Sequence, residues 1–286
     1  MPYTSTLKLF RRIRDEIKPL YGHEAEMLAM YIVEDVSGFS STHILIDQQI
    51  MVVPEVELNI LNYIEQLKKH KPIQYILGKA HFYENIFEVN KSTLIPRPET
   101  EGLVRLVLQY LKGKEVVSLL DIGVGSGCIA ISIALNQPKI TVEGIEVSPS
   151  ALAVAKRNAE RLGATVNFFL ADIFTYKSSK KYDIIISNPP YVRESEKLQM
   201  NKNVLNYEPS KALFVTDSDP LVFYKQIIEF SNDALADSGA IFFEVNELLA
   251  NEVADLMRKR GFYQIEIFQD MNEKNRFVFG KKQLLA

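Results

Sequence analysis

Two short motifs contain the residue types that chemistry on a small polar group needs. They are Asp121-Ile122-Gly123-Val124-Gly125-Ser126-Gly127 and Asn188-Pro189-Pro190-Tyr191. Glycines at this spacing let the backbone approach a ligand closely. An asparagine amide followed by two prolines presents carbonyl acceptors beside two positions that lack an N–H donor. Together the motifs predict a site that holds one bound molecule against a second, flat polar group.

The first motif favours a cationic ligand. A carboxylate at Asp121 would oppose a pyrophosphate, and Cys128 occupies the position where a dinucleotide fingerprint needs glycine or alanine. The same carboxylate would favour the ammonium or sulfonium of S-adenosylmethionine. The plain alternative is a tight turn without a ligand.

Two further acidic residues follow the next predicted strands. Glu146 can accept hydrogen bonds from both ribose hydroxyls, and Asp172 can accept one from the adenine amino group. Either carboxylate alone is more often a helix cap or a solvated strand end. With Asp121, these residues define a predicted cofactor site whose other members are Gly123, Gly125, Gly127, Ile173 and Asn188.

The second motif predicts the catalytic residues. The Pro189 carbonyl and the Asn188 side-chain carbonyl can each accept a hydrogen bond from one planar NH2 group, which holds it and favours charge leaving the nitrogen as it attacks. Tyr191 offers a ring that stacks on a flat substrate, and Pro190 lies beside it. We therefore expect methyl transfer to a planar nitrogen, most simply an amide, without a metal or a strong base. The alternative is a strand-ending turn with an aromatic plug.

Strands and helices alternate from about residue 100, which predicts a parallel sheet with helices on both faces. The last two strands are too close together for a crossover, so they must pair antiparallel. Ser148 and Pro149 are typical of an N-cap and first helical residue. The predicted strands are 116–120, 141–147, 166–170, 182–186, 240–245, 264–268 and 276–279, and the predicted helices are 128–135, 149–162, 221–235 and 247–260.

The N-terminal part has a different character. Apolar residues recur at helical spacing between Leu7 and His70, which predicts a bundle of four or five helices. Its nine Lys and Arg nearly balance ten Asp and Glu over residues 1–80, so a partner-docking or packing module is favoured over a nucleic-acid grip. The predicted domains are a helical docking domain at 1–73, a hairpin linker at 74–100 and a catalytic domain at 101–286.

Composition excludes several classes of protein. The 286 residues carry a net charge of −3, whereas proteins that grip duplex phosphates usually have a basic surplus. Cys128 is the single cysteine, and the four histidines lack metal-ligand spacing, so neither a disulfide nor a zinc site is expected. No apolar run is long enough to span a membrane, so no membrane span is expected. The lack of a possible disulfide fits a reducing cytoplasm, and the chain is expected to be a cytoplasmic monomer that binds neither DNA nor membranes.

Several motifs together resemble one methyltransferase family. They are Pro72-Ile73-Gln74-Tyr75-Ile76-Leu77-Gly78, Leu94-Ile95-Pro96-Arg97-Pro98-Glu99-Thr100-Glu101, Tyr207-Glu208-Pro209, and the glycine and Asn188 motifs. On these residues the chain resembles the HemK/PrmC family of peptide chain release factor glutamine methyltransferases. The chain departs from the family pattern after Glu244, where Val245-Asn246-Glu247 follows.

The resemblance implies a class I methyltransferase: a Rossmann-like, seven-stranded, mostly parallel sheet with an antiparallel last strand, plus an N-terminal helical bundle and a hairpin linker. It implies S-adenosylmethionine as cofactor, S-adenosylhomocysteine as product, and methylation of the glutamine in the Gly-Gly-Gln loop of class 1 release factors. Phe82 and Arg97 would then line the substrate site, although core packing and a linker salt bridge are their plain alternatives.

Three other functions stay open. A ribosomal-protein glutamine methyltransferase would share these motifs. A DNA adenine methyltransferase uses a similar tetrapeptide on a flipped base but needs a basic surface. A module that binds the cofactor without turnover is the non-enzymatic alternative.

Overall fold

The computed structural model describes residues 3–114 and 117–283, which form two compact units. The first unit extends to Gly78 and includes Asn201–Tyr207; the second contains Lys79–Met200 and the chain from Glu208 onward. The boundary thus follows Gly78, and the predicted linker hairpin belongs to the second unit. The outer ends of the predicted domains 1–73 and 101–286, and Val116 of the first predicted core strand, lie outside the described residues. Within the described part, no helix is both long enough and apolar enough to cross a membrane.

The first unit is helical, as its apolar spacing predicts. Its first five helices are α1 (Thr6–Tyr21), α2 (Glu24–Ser37), α3 (Ser41–Leu45), α4 (Pro54–Lys68) and α5 (Ile73–Leu77). A short antiparallel pair, β1 (Tyr3–Ser5) with β2 (Gln49–Met51), was not predicted. Ile13, Ile32 and Ile64 form part of its buried core.

Three apolar residues that fit the helical spacing do not enter this core. Met27, Leu58 and Leu61 are 49%, 66% and 47% exposed. They lie next to buried positions in α2 and α4, where apolar side chains cover more than one face of the helix. Spacing alone therefore predicted the helices, but it does not show which apolar residues enter the core.

The second unit contains a two-stranded hairpin, a small parallel pair and a large sheet. Its strands are β3 (Lys79–Phe82), β4 (Asn85–Glu88), β5 (Ser118–Ile122), β6 (Thr141–Glu146), β7 (Asn167–Leu170), β8 (Tyr182–Ser187), β9 (Val192–Arg193), β10 (Phe214–Val215), β11 (Leu235–Glu244), β12 (Phe262–Gln269) and β13 (Asn275–Lys282). The remaining helices are α6 (Glu101–Leu111), α7 (Cys128–Asn136), α8 (Pro149–Leu162), α9 (Lys202–Tyr207), α10 (Val222–Ala234) and α11 (Ala250–Lys259), of which α9 lies in the first unit.

Seven strands form the large sheet in the order β12-β13-β11-β8-β5-β6-β7. The pairs from β11 through β7 are parallel, and β13 is antiparallel to both of its neighbours. This confirms the predicted class I methyltransferase fold. Since parallel strands end at the same edge, the loops after β5, β6, β7 and β8 gather there.

Successive strand residues pack on opposite faces of this sheet. Leu119 joins a cluster with α6 and α7, whereas Leu120 joins a cluster with α10 and α11. The same alternation separates Ile184 and Ile186 from Ile185. Burial on both faces explains why these strands are continuous apolar runs without polar alternation.

Helix α8 confirms its predicted bounds and cap. The Ser148 hydroxyl accepts a hydrogen bond from the Ala151 N–H at 3.3 Å, and Gly163 ends the helix in the left-handed region. Strand β11 begins five residues earlier than predicted, since Leu235 already pairs with Tyr182 of β8 before the register shifts toward Ala240.

The centre of β6 leaves no space for a side chain at Gly144. A Cβ there would lie 2.5 Å from Val124 Cγ1 in the glycine loop and 3.0 Å from the Phe168 ring.

We expect Gly144→Ala to lower the free energy of unfolding by about 1 to 3 kcal/mol, the usual cost of overpacking a core. Urea denaturation measures this. The control is Thr141→Val on the same strand, whose side chain is exposed; equal stability of both variants would contradict the packing.

Candidate active site

The glycine loop leaves β5 and turns sharply into α7. Gly123, Gly125 and Gly127 all have positive φ, at 82°, 55° and 81°. A Cβ on Gly123 or Gly125 would meet open space, whereas one on Gly127 would lie 2.8 Å from Ile131 Cδ1. Gly123 and Gly125 therefore present bare backbone, while Gly127 lets the loop pack closely against the start of the helix.

Glu146 fixes the shape of this loop from the neighbouring strand. Its Oε2 accepts a hydrogen bond from the Gly125 N–H at 2.9 Å, and its Oε1 accepts one from the Ser148 N–H at 2.9 Å. The carboxylate is only 8% exposed, yet it lines the cavity described below. Each oxygen has a further lone pair, so the carboxylate can still accept a hydrogen bond from a ligand.

The loops after β5, β6, β7 and β8 enclose a cavity of about 500 Å³. All of its lining residues belong to the second unit. The predicted site residues that it brings together are Gly123, Gly125, Glu146, Asp172, Ile173, Asn188, Pro189, Pro190 and Arg97. Cavities of this size ordinarily hold a cofactor or drug-sized ligand.

Asp172 and Ile173 follow β7 and form another part of the wall. The Asp172 carboxylate is exposed and accepts a hydrogen bond from the Phe174 N–H at 3.0 Å. Ile173 is 7% exposed and packs into the core below the cavity. A polar acceptor above an apolar floor suits a flat heterocycle with an exocyclic amino group.

Asp121 does not lie where the sequence predicted, at the surface of a ligand site. Its side chain is fully buried and does not line the cavity. Neither carboxylate oxygen has a well-formed hydrogen bond among the described residues. Burial raises its pKa to about 7, Glu146 adds to that shift, and the Ala130 amide in the first turn of α7 opposes it. The Asp121 side chain therefore does not line the cavity in this structure, and its predicted contact with the cofactor stays a prediction.

Asn188, Pro189 and Pro190 also line this cavity. Their position depends on the pairing of Ile122 with Ser187 at the ends of β5 and β8, where the Ser187 hydroxyl donates to the Ile122 carbonyl at 2.7 Å. This pairing brings the residues that follow the two strands, Gly123 and Asn188, next to each other. Sequence analysis did not single out Ser187.

The Asn188 amide has one hydrogen bond among the described residues. Its Nδ2 donates to Thr100 Oγ1 at 3.3 Å. Its Oδ1 and the Pro189 carbonyl have no donor in the described part of the chain. Both carbonyls are available to a ligand in the cavity.

Tyr191 does not line the cavity. It is half-buried, its ring packs against the core that contains α10, and its hydroxyl donates to Glu244 Oε1 at 3.0 Å. Burial and the Glu244 charge raise its pKa far above the ordinary value. The hydroxyl is drawn toward Glu244 at the end of β11, and the stacking role predicted for the ring stays a prediction. The contact between Glu244 and Tyr191 was not predicted, although a carboxylate that ends an apolar strand was a usable signal.

Phe82 and Arg97 differ in their positions. Phe82 is 1% exposed and packs edge to face with Phe87, with ring centroids 6.1 Å apart, so its plain alternative of core packing applies. Arg97 does line the cavity and also pairs with buried Glu208, with Nη2 2.7 Å from Oε1. Glu208 Oε2 also accepts from the Ile95 N–H at 3.2 Å. Arg97 therefore lines the cavity, as predicted for the substrate site, and also forms a salt bridge, which was its plain alternative.

The buried Asp121 makes stability depend on pH. Because its pKa rises from 3.8 to about 7 on folding, the folded state favours the protonated form, and stability is lost as pH increases toward and through 7. We expect Asp121→Asn to lack this loss. Its free energy of unfolding relative to the wild type should increase by about 2 to 3 kcal/mol between pH 5 and pH 8.

Urea denaturation at both pH values measures the difference. The matched control is Asp237→Asn, which replaces an exposed carboxylate. A pH-independent difference between Asp121→Asn and the wild type would contradict the protonation of Asp121.

Known families match both units. The family described as methyltransferase small domain matches residues 102–211, and the one described as PrmC N-terminal domain matches residues 8–78. A solved methyltransferase from Pyrococcus furiosus shares the fold, with a TM-score of 0.52 and 17% identity over 81% of this chain and 100% of that chain.

Curated relatives of the chain match it over nearly its whole length. A release factor glutamine methyltransferase of Bacteroides thetaiotaomicron is 38% identical and covers 96% of both chains. Another of Flavobacterium psychrophilum is 41% identical over 80% of this chain and 84% of that protein. A third, from Streptococcus pneumoniae, is 38% identical over 95% and 96%. With this identity over both units, and with a glycine loop and an Asn-Pro-Pro segment on one cavity, the chain belongs to the release factor glutamine methyltransferase family.

Proposed function

We propose that the chain transfers a methyl group from S-adenosylmethionine to the side-chain amide nitrogen, N5, of the glutamine in the Gly-Gly-Gln loop of class 1 release factors. The observation that carries this proposal is the cavity shared by Gly123 and Asn188, each directly after one of two paired strand ends. The substrate class follows from the names of the relatives.

The cavity suits the proposed cofactor in size and in its polar groups. Its volume of about 500 Å³ falls in the range of small-molecule sites. Glu146 would accept the ribose hydroxyls, Asp172 the adenine amino group, and the bare backbone of Gly123 and Gly125 would lie against the amino-acid part. When bound, the cofactor supplies an electrophilic methyl group on a positively charged sulfur.

The chain's own residues would hold the amide of the substrate. Asn188 and Pro189 both line the cavity, and in the described part of the chain neither the Asn188 Oδ1 nor the Pro189 carbonyl has a hydrogen-bond donor, so each can accept one hydrogen of an NH2 group. Two fixed acceptors orient the nitrogen and stabilise the positive charge that develops on it during attack. Holding the reactants in this way is expected to be the main source of rate. Among the described residues, no cluster of three or more His, Cys, Asp or Glu is placed to hold a metal ion.

The helical unit is proposed to dock the protein substrate. Besides Met27, Leu58 and Leu61, its surface exposes Leu45 and Ile46, at 58% and 62%. Exposed apolar side chains mark a protein interaction surface where they form a contiguous patch. A release factor substrate would also place the enzyme in the cytoplasm, where translation terminates.

The function is tested by incubating the chain with methyl-labelled S-adenosylmethionine and, separately, with a release factor, ribosomal proteins and DNA. Mass spectrometry then locates the methyl group. We expect one methyl group on the Gly-Gly-Gln glutamine. Methylation of ribosomal protein or DNA alone would replace this substrate with one of the alternatives, and labelling of nothing would favour a binding module.

Asn188→Ala removes one of the two proposed acceptors. We expect kcat to fall by about 100-fold or more, the usual effect of losing one preorganised group, while cofactor affinity barely changes. Steady-state kinetics and calorimetry measure both. Asn136→Ala, at the far end of α7, is the control and should keep wild-type turnover. Unchanged kcat in Asn188→Ala would remove the proposed amide clamp.

Glu146→Ala removes the acceptor proposed for the ribose and a hydrogen-bond partner of the loop. The loss of hydrogen bonds to a charged group, about 1.5 to 3 kcal/mol, corresponds to cofactor binding weaker by about 10- to 100-fold. Calorimetry measures the affinity, and a thermal melt shows that the chain stays folded. Glu160→Ala on the exposed side of α8 is the control. Wild-type affinity in Glu146→Ala would count against the ribose assignment.

A further inference from the structure

Asn158 of α8 is a fully buried amide in which every hydrogen-bonding position is filled. Its Oδ1 accepts from the Glu88 N–H at 2.7 Å and from Arg161 Nη2 at 3.2 Å. Its Nδ2 donates to the Glu88 carbonyl at 3.0 Å and to the Ser126 carbonyl at 2.9 Å. An amide has two donor hydrogens and an oxygen that accepts two hydrogen bonds, so the set is complete. The amide has one workable orientation, because a turned amide would place its oxygen against two carbonyls.

The backbone partners of Asn158 come from two separate parts of the second unit. Glu88 is the last residue of β4 in the hairpin, 70 residues before Asn158, and Ser126 belongs to the glycine loop, 32 residues before it. Neither β3 nor β4 lines the cavity, whereas Ser126 does. The bond to the Ser126 carbonyl is therefore the contact through which Asn158 reaches the site.

The glycine loop is held on both sides of the peptide that joins Gly125 to Ser126. Glu146 accepts from the Gly125 N–H at 2.9 Å, and Asn158 donates to the Ser126 carbonyl at 2.9 Å. Gly125 has a φ of 55° and no side chain to restrict its backbone, so the loop depends on such contacts for its shape. A loop that keeps its shape before a ligand arrives costs less to order when the ligand binds.

We propose that Asn158 is a positioning residue of the cofactor site, which holds the glycine loop in its binding shape through the Ser126 carbonyl and uses the hairpin as a second anchor. Asn158 does not itself line the cavity, so it acts through the loop. Without this contact the Ser126 carbonyl can turn, and each binding event has to order the loop again. The inference rests on the proposed function in one respect, namely that S-adenosylmethionine binds in this cavity.

Helix α8 also holds the hairpin by a contact that does not involve the glycine loop. Arg157 Nε lies 2.9 Å from Glu88 Oε2, and Arg157 Nη2 lies 2.6 Å from Glu88 Oε1. Arg157→Gln weakens this attachment of the hairpin and leaves the bond between Asn158 and Ser126 in place. It is therefore the matched control for a role of Asn158 in fastening the hairpin alone.

Two substitutions remove the contact with the loop. Asn158→Asp keeps an oxygen for the Glu88 N–H and replaces the donor that Ser126 needs, and Asn158→Ala removes the whole amide. We expect the Kd for S-adenosylhomocysteine to rise about 10-fold or more in both, and to stay within about twofold of the wild type in Arg157→Gln. Calorimetry measures the affinity, and thermal melts show that each variant is folded. If Asn158 only fastens the hairpin, all three variants would melt earlier and bind with wild-type affinity, which would overturn the proposal.

Amide hydrogen exchange of the wild-type chain, followed by NMR, tests the same link without a substitution. Because the Glu88 N–H donates to Asn158, binding of S-adenosylhomocysteine at the loop should slow exchange of this amide, although β4 lies outside the cavity lining. The amides of α11, which does not line the cavity either, should keep their exchange rates. This measurement decides the proposal even where an Asn158 variant fails to fold.

The outcomes separate the inference from the proposed function. A wild-type chain that does not bind S-adenosylhomocysteine would overturn the cofactor assignment, and the positioning role with it. Tight binding by the wild type, with an unchanged exchange rate at Glu88 or equal affinity in the folded Asn158 variants, would overturn the positioning role alone.

Discussion

The hydrogen bond between the Ser187 hydroxyl and the Ile122 carbonyl lies at the centre of this structure. It joins the ends of β5 and β8, which are adjacent in the sheet although 65 residues separate their paired positions in the chain. The next residue on each strand then enters the same cavity from a different wall. The glycine loop and the Asn-Pro-Pro segment need this adjacency, because neither can hold two reactants alone.

The acidic residues around the cavity have distinct roles that follow from burial. Glu146 accepts two backbone N–H groups and remains at the cavity surface, so it shapes the loop and still offers lone pairs. Asp172 is exposed, and Asp121 is buried behind the loop near the N-terminus of α7. Glu244 accepts a hydrogen bond from Tyr191 and does not line the cavity. How deeply a carboxylate at a strand end is buried thus decides whether it lines the cavity or contacts only other residues of the chain.

The sequence predicted the features that depend on local chemistry. Ser148 and Pro149 defined the start of α8 because capping is a contact between near neighbours. Apolar runs indicated a doubly covered sheet, and the motifs after β5 and β8 identified two walls of the cavity. Features that depend on distant partners were not predictable in this way. The direction of the Tyr191 hydroxyl depends on Glu244, 53 residues later.

The packing of the helical unit was also only partly predictable from the sequence. Periodicity located α2 and α4, yet it did not tell the inward face from the outward one where apolar residues occupy both. The short β1–β2 pair was likewise invisible, because its strands are three residues long and 44 to 48 positions apart at their paired residues. In both cases the deciding contacts are with residues far away in the chain.

The most direct test of the account is a crystal structure of the chain with S-adenosylhomocysteine and a peptide containing Gly-Gly-Gln. The account predicts the nucleoside between Glu146 and Asp172, and the glutamine nitrogen at hydrogen-bond distance, about 2.7 to 3.2 Å, from both Asn188 Oδ1 and the Pro189 carbonyl. A glutamine amide bound away from Asn188, or a nucleoside bound outside the cavity of Gly123, would contradict it.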